Sequence, residues 1–282
     1  MLLASSPNSL NLNVMKCELH EVEAKLCESH IIPKFVYKWM KETGSGRLRQ
    51  VGTKNKPMLD GIKKHMLCKD CEDKFSKYEK RFNENIFLPY LADNNISIEN
   101  NIDLKYFIIS VLWRILRLFK DDGTVYNFKN SLDAAEIEWR NFLLNNTPIK
   151  EYENQHFILI DDGYWISQKT DLYFSRAVDI EIAQSEECCF VYAKFSRFML
   201  IGEITGFTSG DFENTNINME TEFSNSNQIL PDFSDYFNHR IEYTFTYKDL
   251  SETQQKKNDE YYKEKLDKLQ ETDYLKIIRR HK

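Results

Sequence analysis

Two short pairs of cysteine and histidine residues constrain the fold of this chain more than any other feature. Cys17 and His20 form a Cys-x-x-His pair, and Cys68 and Cys71 form a Cys-x-x-Cys pair. A structural Zn²⁺ ion takes four nitrogen or sulfur ligands in a tetrahedron, and two such pairs brought together are the usual way to supply them. The spacing therefore predicts one structural zinc ion that closes an N-terminal module over residues 15–95.

The other cysteines leave alternatives open. Cys27 lies between the two pairs and could replace His20 as the fourth ligand, although a two-residue gap forms a tighter knuckle. The cysteines of the two pairs could also be ordinary buried thiols accompanied by a surface histidine. The adjacent Cys188 and Cys189 are expected to pack as small apolar side chains within a strand.

Composition and charge exclude several classes of protein. Six cysteines in 282 residues do not form a secreted disulfide framework, and the start of the chain lacks the basic and apolar regions of a signal peptide. We therefore expect a cytoplasmic protein with a disordered lead-in over residues 1–14. The formal net charge of −6 gives no overall attraction to nucleic acid, so such a contact would need a local basic patch.

The most apolar run of the chain, Tyr106 to Phe119, is too short to span a bilayer. It contains Arg114 and Arg117, which are expected on the outer edge of a core helix. No membrane contact is predicted.

The whole chain is predicted to have an α+β fold. Residues 96–282 form the second unit, with helices within 103–146, an antiparallel sheet within 154–248 and a C-terminal helix over 251–281. Six runs rich in β-branched and aromatic residues are predicted as the strands: 156–160, 163–167, 171–174, 189–193, 198–204 and 240–247. The polar stretch 208–235 is expected to be a surface loop.

The residues around the two pairs carry a resemblance to a known family. Ser29-His30-Ile31-Ile32-Pro33 follows the first pair, and Leu67-Cys68-Lys69-Asp70-Cys71-Glu72 leads into a predicted helix. This pattern is similar to that of the HNH endonucleases, whose zinc-bound treble-clef, or ββα-metal, core places a His-Ile-x-Pro strand between two zinc-binding pairs. The resemblance covers only the N-terminal part of the chain. Ser29 stands where the family usually has Asp or His, and Glu72 where it usually has Asn or His.

The resemblance implies a metal-dependent endonuclease that hydrolyses phosphodiester bonds, with DNA favoured over RNA and with His30 as the general base. The residues support this role independently, because an imidazole exchanges protons near neutral pH. Glu72, Ser76 and Glu79 recur on one face of the predicted helix, where carboxylates would suit a catalytic Mg²⁺ or Mn²⁺. We therefore predict His30, Glu72 and Glu79 as catalytic residues. A structural histidine and a solvated helix face are the alternatives.

A second class of function remains open, in which the zinc module binds nucleic acid or a protein partner without catalysis. Five basic residues would make the phosphate contacts: Lys34, Lys38, Arg47, Arg49 and Lys54. A third interpretation makes the C-terminal unit a docking surface for a second copy of the chain or for another protein. By analogy alone, a nuclease joined to an unrelated domain suggests an antiviral defence effector or a mobile-element protein.

Overall fold

Helices and antiparallel sheets together build the protein, as the sequence predicts. The computed structural model describes residues 14–51, 57–93, 98–99, 101–120, 122–124, 126–161, 167–208, 210–217, 228–245, 251–264, 269–270 and 272–282. Of the predicted lead-in over residues 1–14, only Val14 is described, and it begins a strand. No helix within the described ranges has both the length and the apolar character needed to cross a membrane.

The N-terminal part contains five described strands and two main helices. In chain order they are β1 (Val14–Lys16), β2 (Glu23–His30), α1 (Lys34–Glu42), β3 (Leu48–Arg49), β4 (Pro57–Met58), β5 (Lys63–Cys68) and α2 (Lys69–Phe82). Strands β1, β2 and β5 form an antiparallel sheet in that order, and β3 pairs with β4. The β2–β5 pairing runs from Leu26 opposite Cys68 to His30 opposite Lys63. It therefore brings Cys68 to one end of the paired region and His30 to the other.

Helix α2 continues directly from β5, with Cys68 as its N-cap residue. The apolar spacing of its sequence turns one face of the helix towards the core. Its buried side chains are Cys71, Phe75 and Phe82. A short π-helix (Asn83–Phe87) and helix α3 (Leu88–Ala92) extend it.

Helix α4 (Ile102–Phe119) lies at the centre of the core. Asn101 caps it by accepting hydrogen bonds from two backbone N–H groups of its first turn, both at 3.1 Å. Every residue from 106 to 116 is buried, because α4 lies against α2, α5 (Lys129–Asn145) and a C-terminal sheet. The expected outer position of Arg114 is wrong, since its side chain is 1% exposed.

Four C-terminal strands form an antiparallel sheet in the order β6-β9-β8-β7. They are β6 (Gln155–Leu159), β7 (Val178–Gln184), β8 (Cys189–Phe195) and β9 (Phe198–Thr205). Every residue of β8 is buried, so both faces of the sheet are covered there. Helix α4 lies on one face, and an aromatic cluster that includes Phe190, Tyr192 and Phe237 lies on the other.

One predicted strand of this sheet, over residues 171–174, is wrong because these residues belong to helix α6 (Gln168–Arg176). Ser167 caps α6 by accepting a hydrogen bond from the backbone N–H of Thr170 at 3.2 Å. This local capping signal outweighs the aromatic content of the segment. Residues 163–166 of another predicted strand lie outside the described residues.

The predicted strand over 240–247 is also wrong, because its described part lies in helix α7 (Ser234–Phe245). Arg240 and Ile241 are the buried residues of this helix, and Arg240 bonds to the edge of the sheet. Within the described residues the sheet therefore ends at Thr205 and not near 248. Strand β7, which the sequence pattern does not predict, lies at its outer edge.

The predicted C-terminal helix forms two helices in the described residues, α8 (Glu252–Glu264) and α9 (Asp273–Arg280). Thr272 caps α9 by accepting a hydrogen bond from a backbone N–H of its first turn. Beyond α9, the ring of His281 lies 2.9 Å from the buried carboxylate of Asp171 in α6. The end of the chain thus docks on its own C-terminal unit.

One hydrophobic cluster connects the N-terminal part with the C-terminal sheet. Phe82 of α2 stacks on Phe107 of α4 with ring centroids 3.8 Å apart, and it meets Phe198 of β9 at 5.7 Å. The two predicted units, 15–95 and 96–282, therefore share buried apolar surface in this structure.

We expect Gly202→Ala to destabilise the fold, because Gly202 of β9 touches the core through its backbone. A Cβ atom there would lie 2.6 Å from Trp139 and 3.1 Å from Leu112, both of which are fully buried. Overpacking of this kind lowers the free energy of unfolding by about 1–3 kcal/mol, which urea denaturation measures. The matched control is Gly210→Ala, where nothing lies within 4 Å of the added atom. Equal stability of the two variants would contradict the prediction.

Candidate metal centre and the end of strand β2

Cys17, His20, Cys68 and Cys71, here called the Cys3His group, converge at the junction of β5 and α2. Their ligand atoms all lie within 4.8 Å of one another, so the group could hold a metal ion. His20 Nδ1 lies 3.5 Å from Cys71 Sγ and 3.9 Å from Cys68 Sγ. Separations of this size fit a tetrahedral site with metal–ligand bonds of about 2.0–2.3 Å. The three cysteines are buried and the histidine is half-buried.

The turn between β1 and β2 holds the first pair in place. Within this turn the backbone N–H of Cys17 donates to the carbonyl of Val22 at 2.9 Å, and Glu21 adopts a positive φ of 61°. The backbone N–H of Cys68 donates to Cys17 Sγ at 3.3 Å. This hydrogen bond joins the end of β5 to the turn that carries His20.

Backbone hydrogen bonds favour the thiolate of one ligand. Burial alone would raise the pKa of Cys17, but N–H groups of His20, Cys68 and Leu19 donate to its sulfur and lower the pKa to about 7. Burial and the neighbouring thiols raise the pKa of Cys71. A bound cation favours the thiolate form of every cysteine that ligates it, so the group and a cation would stabilise each other.

The donor set fits structural zinc, as the sequence predicts, because three thiolates and one imidazole are a common ligand set of closed zinc sites. Cys27, the alternative ligand, lies in β2 opposite Leu67 and is not part of the group. Cys189 is buried in β8, as expected for a small apolar side chain, but the same expectation is wrong for Cys188, which is half-buried and precedes the strand. Elsewhere in the described part of the chain, no second group of three or more Cys, His, Asp or Glu side chains comes together in this way.

We expect the purified chain to contain one zinc ion, and to lose it on Cys68→Ser or Cys71→Ser substitution because each change removes one of four ligands. Elemental analysis measures the metal, and thermal unfolding measures the accompanying loss of stability. Cys27→Ser is the matched control and should keep the zinc. His20→Cys should also keep it, since a thiolate can replace the imidazole. A wild-type protein without zinc, or a Cys27→Ser protein that has lost it, would contradict the assignment.

His30 ends β2 beside the carboxylate of Asp60. Asp60 Oδ2 lies 3.2 Å from His30 Nε2, within ion-pair distance although not in hydrogen-bond geometry. Lys63 Nζ lies 3.1 Å from the other oxygen of Asp60. Burial would raise the pKa of Asp60, but Lys63 and His30 outweigh it and lower the pKa, so this carboxylate is ionised at neutral pH. The side chain of His30 is 16% exposed.

The two predicted catalytic carboxylates of α2 bond to other side chains. Glu72 accepts a hydrogen bond from the hydroxyl of Ser29 at 2.6 Å. Glu79 pairs with Arg114 of α4 at 2.8 Å, and Arg114 also donates to the backbone carbonyl of His30 at 2.7 Å. Both carboxylates therefore support the strand that carries His30. Among the described residues, neither belongs to a group of metal ligands.

The predicted phosphate-binding residues differ in their surroundings in the described part of the chain. Lys34 and Lys38 are exposed on α1. Arg47 and Arg49 instead both donate to the side-chain oxygen of an asparagine in α8, at 2.7 and 3.0 Å. Lys54 lies outside the described residues.

Two residues beside His30, Asp60 and Arg114, are not predicted by the sequence patterns. Asp60 is followed by Gly61, a dipeptide typical of turns, but nothing local indicates that this turn faces His30. Arg114 is one of two arginines within a mainly apolar run, and a buried ion pair is one reason for such a residue.

Comparison with known proteins assigns no family and no related fold. No protein-family model, curated protein or solved structure matches the chain. The residues of the site therefore carry the functional inference on their own.

Proposed function

We propose that this chain is a metal-dependent endonuclease of the HNH type, which hydrolyses phosphodiester bonds of DNA. The observation that carries the proposal is the placement of His30 at the end of β2, beside the ionised Asp60 and in a sheet joined to α2 by the Cys3His group. A treble clef, in which a zinc-bound turn, two strands and a helix present one histidine, would account for this placement.

His30 has the surroundings that a general base needs. Asp60 lies on the Nε2 side of the ring, where it would stabilise the imidazolium that forms when Nδ1 accepts a proton from water. Arg114 holds the backbone carbonyl of His30 from the core side and so fixes the end of the strand. A carboxylate that orients the imidazole is a recurring part of histidine-based catalysis.

Charged groups at the same end of the sheet suit a phosphodiester. Lys63 Nζ lies 3.1 Å from Asp60 and 3.2 Å from Glu28. Two carboxylates and one cation are therefore grouped at the end of the sheet that carries His30. When bound, Mg²⁺ or Mn²⁺ would neutralise the charge that develops on the phosphate. In this proposal Glu72 and Glu79 support the strand that carries His30, because they bond to Ser29 and Arg114.

The proposal predicts that His30→Ala removes Mg²⁺- or Mn²⁺-dependent cleavage of plasmid DNA, with a loss of rate of at least about a hundredfold, because the general base is absent. DNA binding, measured by fluorescence anisotropy, should be unchanged. His65→Ala is the matched control, since His65 is an exposed histidine of the neighbouring strand β5, and it should cleave at the wild-type rate. Cleavage at the wild-type rate by the His30→Ala protein would contradict the assignment of His30 as the general base.

Asp60→Asn tests the positioning role of the carboxylate separately from the fold. The variant should lower kcat by about tenfold or more with KM unchanged, because the imidazolium loses its stabilising charge. Zinc content reports that the module remains folded. A wild-type kcat in the zinc-loaded variant would show that Asp60 does not act on His30.

The alternative function is a zinc module that binds nucleic acid without cutting it. Lys34 and Lys38 favour it, because they are exposed and four residues apart on one face of α1. Replacing both by Gln should weaken DNA binding and reduce the slope of log affinity against log salt concentration by about 2. Lys276→Gln, at an exposed position of α9, is the control. Binding that depends on Lys34 and Lys38, without wild-type cleavage in Mg²⁺ or Mn²⁺, would select this function.

A further inference from the structure

A large cavity lies between the N-terminal module and the C-terminal helices. It encloses about 730 Å³, and sites for small molecules typically enclose roughly 300–1,000 Å³. Its walls come from α1, the β3–β4 pair, the end of α4, helix α6, strand β7 and the helices α7, α8 and α9. Its described lining includes neither His30 nor any member of the Cys3His group, so it is a separate site.

The lining of this cavity is positively charged, although the chain as a whole carries a net charge of −6. Four arginines line it: Arg47, Arg49, Arg176 and Arg240. Two carboxylates, Asp179 and Glu181, line it as well, and Arg240 pairs with both of them. The described lining therefore has two more positive charges than negative ones, which favours an anionic ligand.

Arg47 presents a fixed set of hydrogen-bond donors. Its guanidinium lies 4.1 Å from the centre of the Tyr261 ring and donates to the side-chain oxygen of Asn258 at 2.7 Å. A guanidinium has five N–H donors, so this neutral acceptor uses only part of its capacity. A planar group held in this way can bind two oxygen atoms of a phosphate at once.

Arg176 is a buried cation whose described hydrogen bonds go to neutral acceptors. It donates to the backbone carbonyl of Met40 at 2.9 Å and to the hydroxyl of Thr43 at 3.2 Å, and it lies over the ring of Trp39. Burial lowers the pKa of Arg176 to about 10, because the charged form loses its hydration. The carboxylate of Asp273 offsets part of this loss, and an anion in the cavity would offset more of it.

Aromatic rings form part of the cavity wall. Four tyrosines line it: Tyr37, Tyr243, Tyr262 and Tyr274. Flat rings of this kind stack on nucleobases, and the arginines match phosphate oxygens. A phosphate alone would leave the aromatic wall unfilled, and an apolar ligand would leave the remaining N–H donors of Arg47 unused.

We propose that this cavity binds a nucleotide, with its phosphate groups on Arg47 and Arg176 and its base among the tyrosines. The volume of the cavity suits a mononucleotide or a dinucleotide. The proposal does not depend on nuclease activity, because the cavity and His30 are lined by different residues.

Calorimetry on the zinc-loaded full chain tests the proposal with ATP, GTP and cyclic di-AMP as probes. At least one of them should bind with micromolar affinity and raise the unfolding temperature, since a ligand that binds only the folded state stabilises it. Adenosine and inorganic phosphate, used separately, should bind far more weakly than the nucleotide that joins both parts. A short single-stranded oligonucleotide should compete weakly.

Three variants locate the site. Arg47→Gln, whose amide can still donate to Asn258, should weaken nucleotide binding by about tenfold or more, because a charged hydrogen bond is lost. Thr244→Trp places an indole in the cavity and should abolish binding. Arg279→Gln removes an exposed arginine of α9 that does not line the cavity, and it should bind as the wild type does.

The remaining outcomes overturn the proposal. They are no binding of any nucleotide at millimolar concentration, binding that persists in both Arg47→Gln and Thr244→Trp, inorganic phosphate binding as tightly as the nucleotides, or an oligonucleotide that outcompetes them. The His30→Ala protein should bind nucleotide as the wild type does. A failure of the nuclease proposal is thereby distinguished from a failure of this one.

Discussion

The convergence of the Cys3His group at the β5–α2 junction is the constraint on which the N-terminal architecture depends. The two pairs are far apart in sequence, and a tetrahedral ion bound by both would hold them together. The hydrogen bond from the backbone N–H of Cys68 to Cys17 Sγ already joins the two segments. Because β5 leads into this junction, the same constraint fixes the register of β5 against β2. That register places His30 at the far end of the paired strands.

Arg114 extends this constraint from the N-terminal sheet to the central helix α4. Its guanidinium is bonded both to Glu79 of α2 and to the carbonyl of His30, and its side chain is 1% exposed. Removal of one partner from a buried ion pair leaves an uncompensated charge, which costs about 3–5 kcal/mol. Glu79 is therefore needed for stability, and this role competes with the role of metal ligand that the sequence suggests. The loss of activity in a Glu79 variant would not by itself identify a catalytic residue.

The metal-binding group can be predicted from the sequence because the spacing within each pair is local. The only long-range step is the meeting of the two pairs. The position of Asp60 beside His30 could not be predicted from the sequence, because it depends on the pairing of β2 with β5 across the intervening residues. Helices α4 and α5 follow from their apolar periodicity. The sequence pattern predicts strands in place of helices α6 and α7, and it fails there because short aromatic and β-branched runs occur in buried helices as well as in strands. Capping by Ser167 and packing against the sheet decide in favour of helix.

The segment Asp60-Gly61-Ile62 lies next to both the cavity and His30: Ile62 lines the cavity, and Asp60 lies beside His30. Tyr37 also lines the cavity. Its ring packs so closely on Gly61 that a Cβ atom there would lie 2.2 Å away, and Gly61 has a φ of 96°, so no larger residue fits this position. Asp60 directly precedes Gly61, so the packing of Tyr37 on Gly61 also fixes the backbone that carries the Asp60 carboxylate to within 3.2 Å of His30.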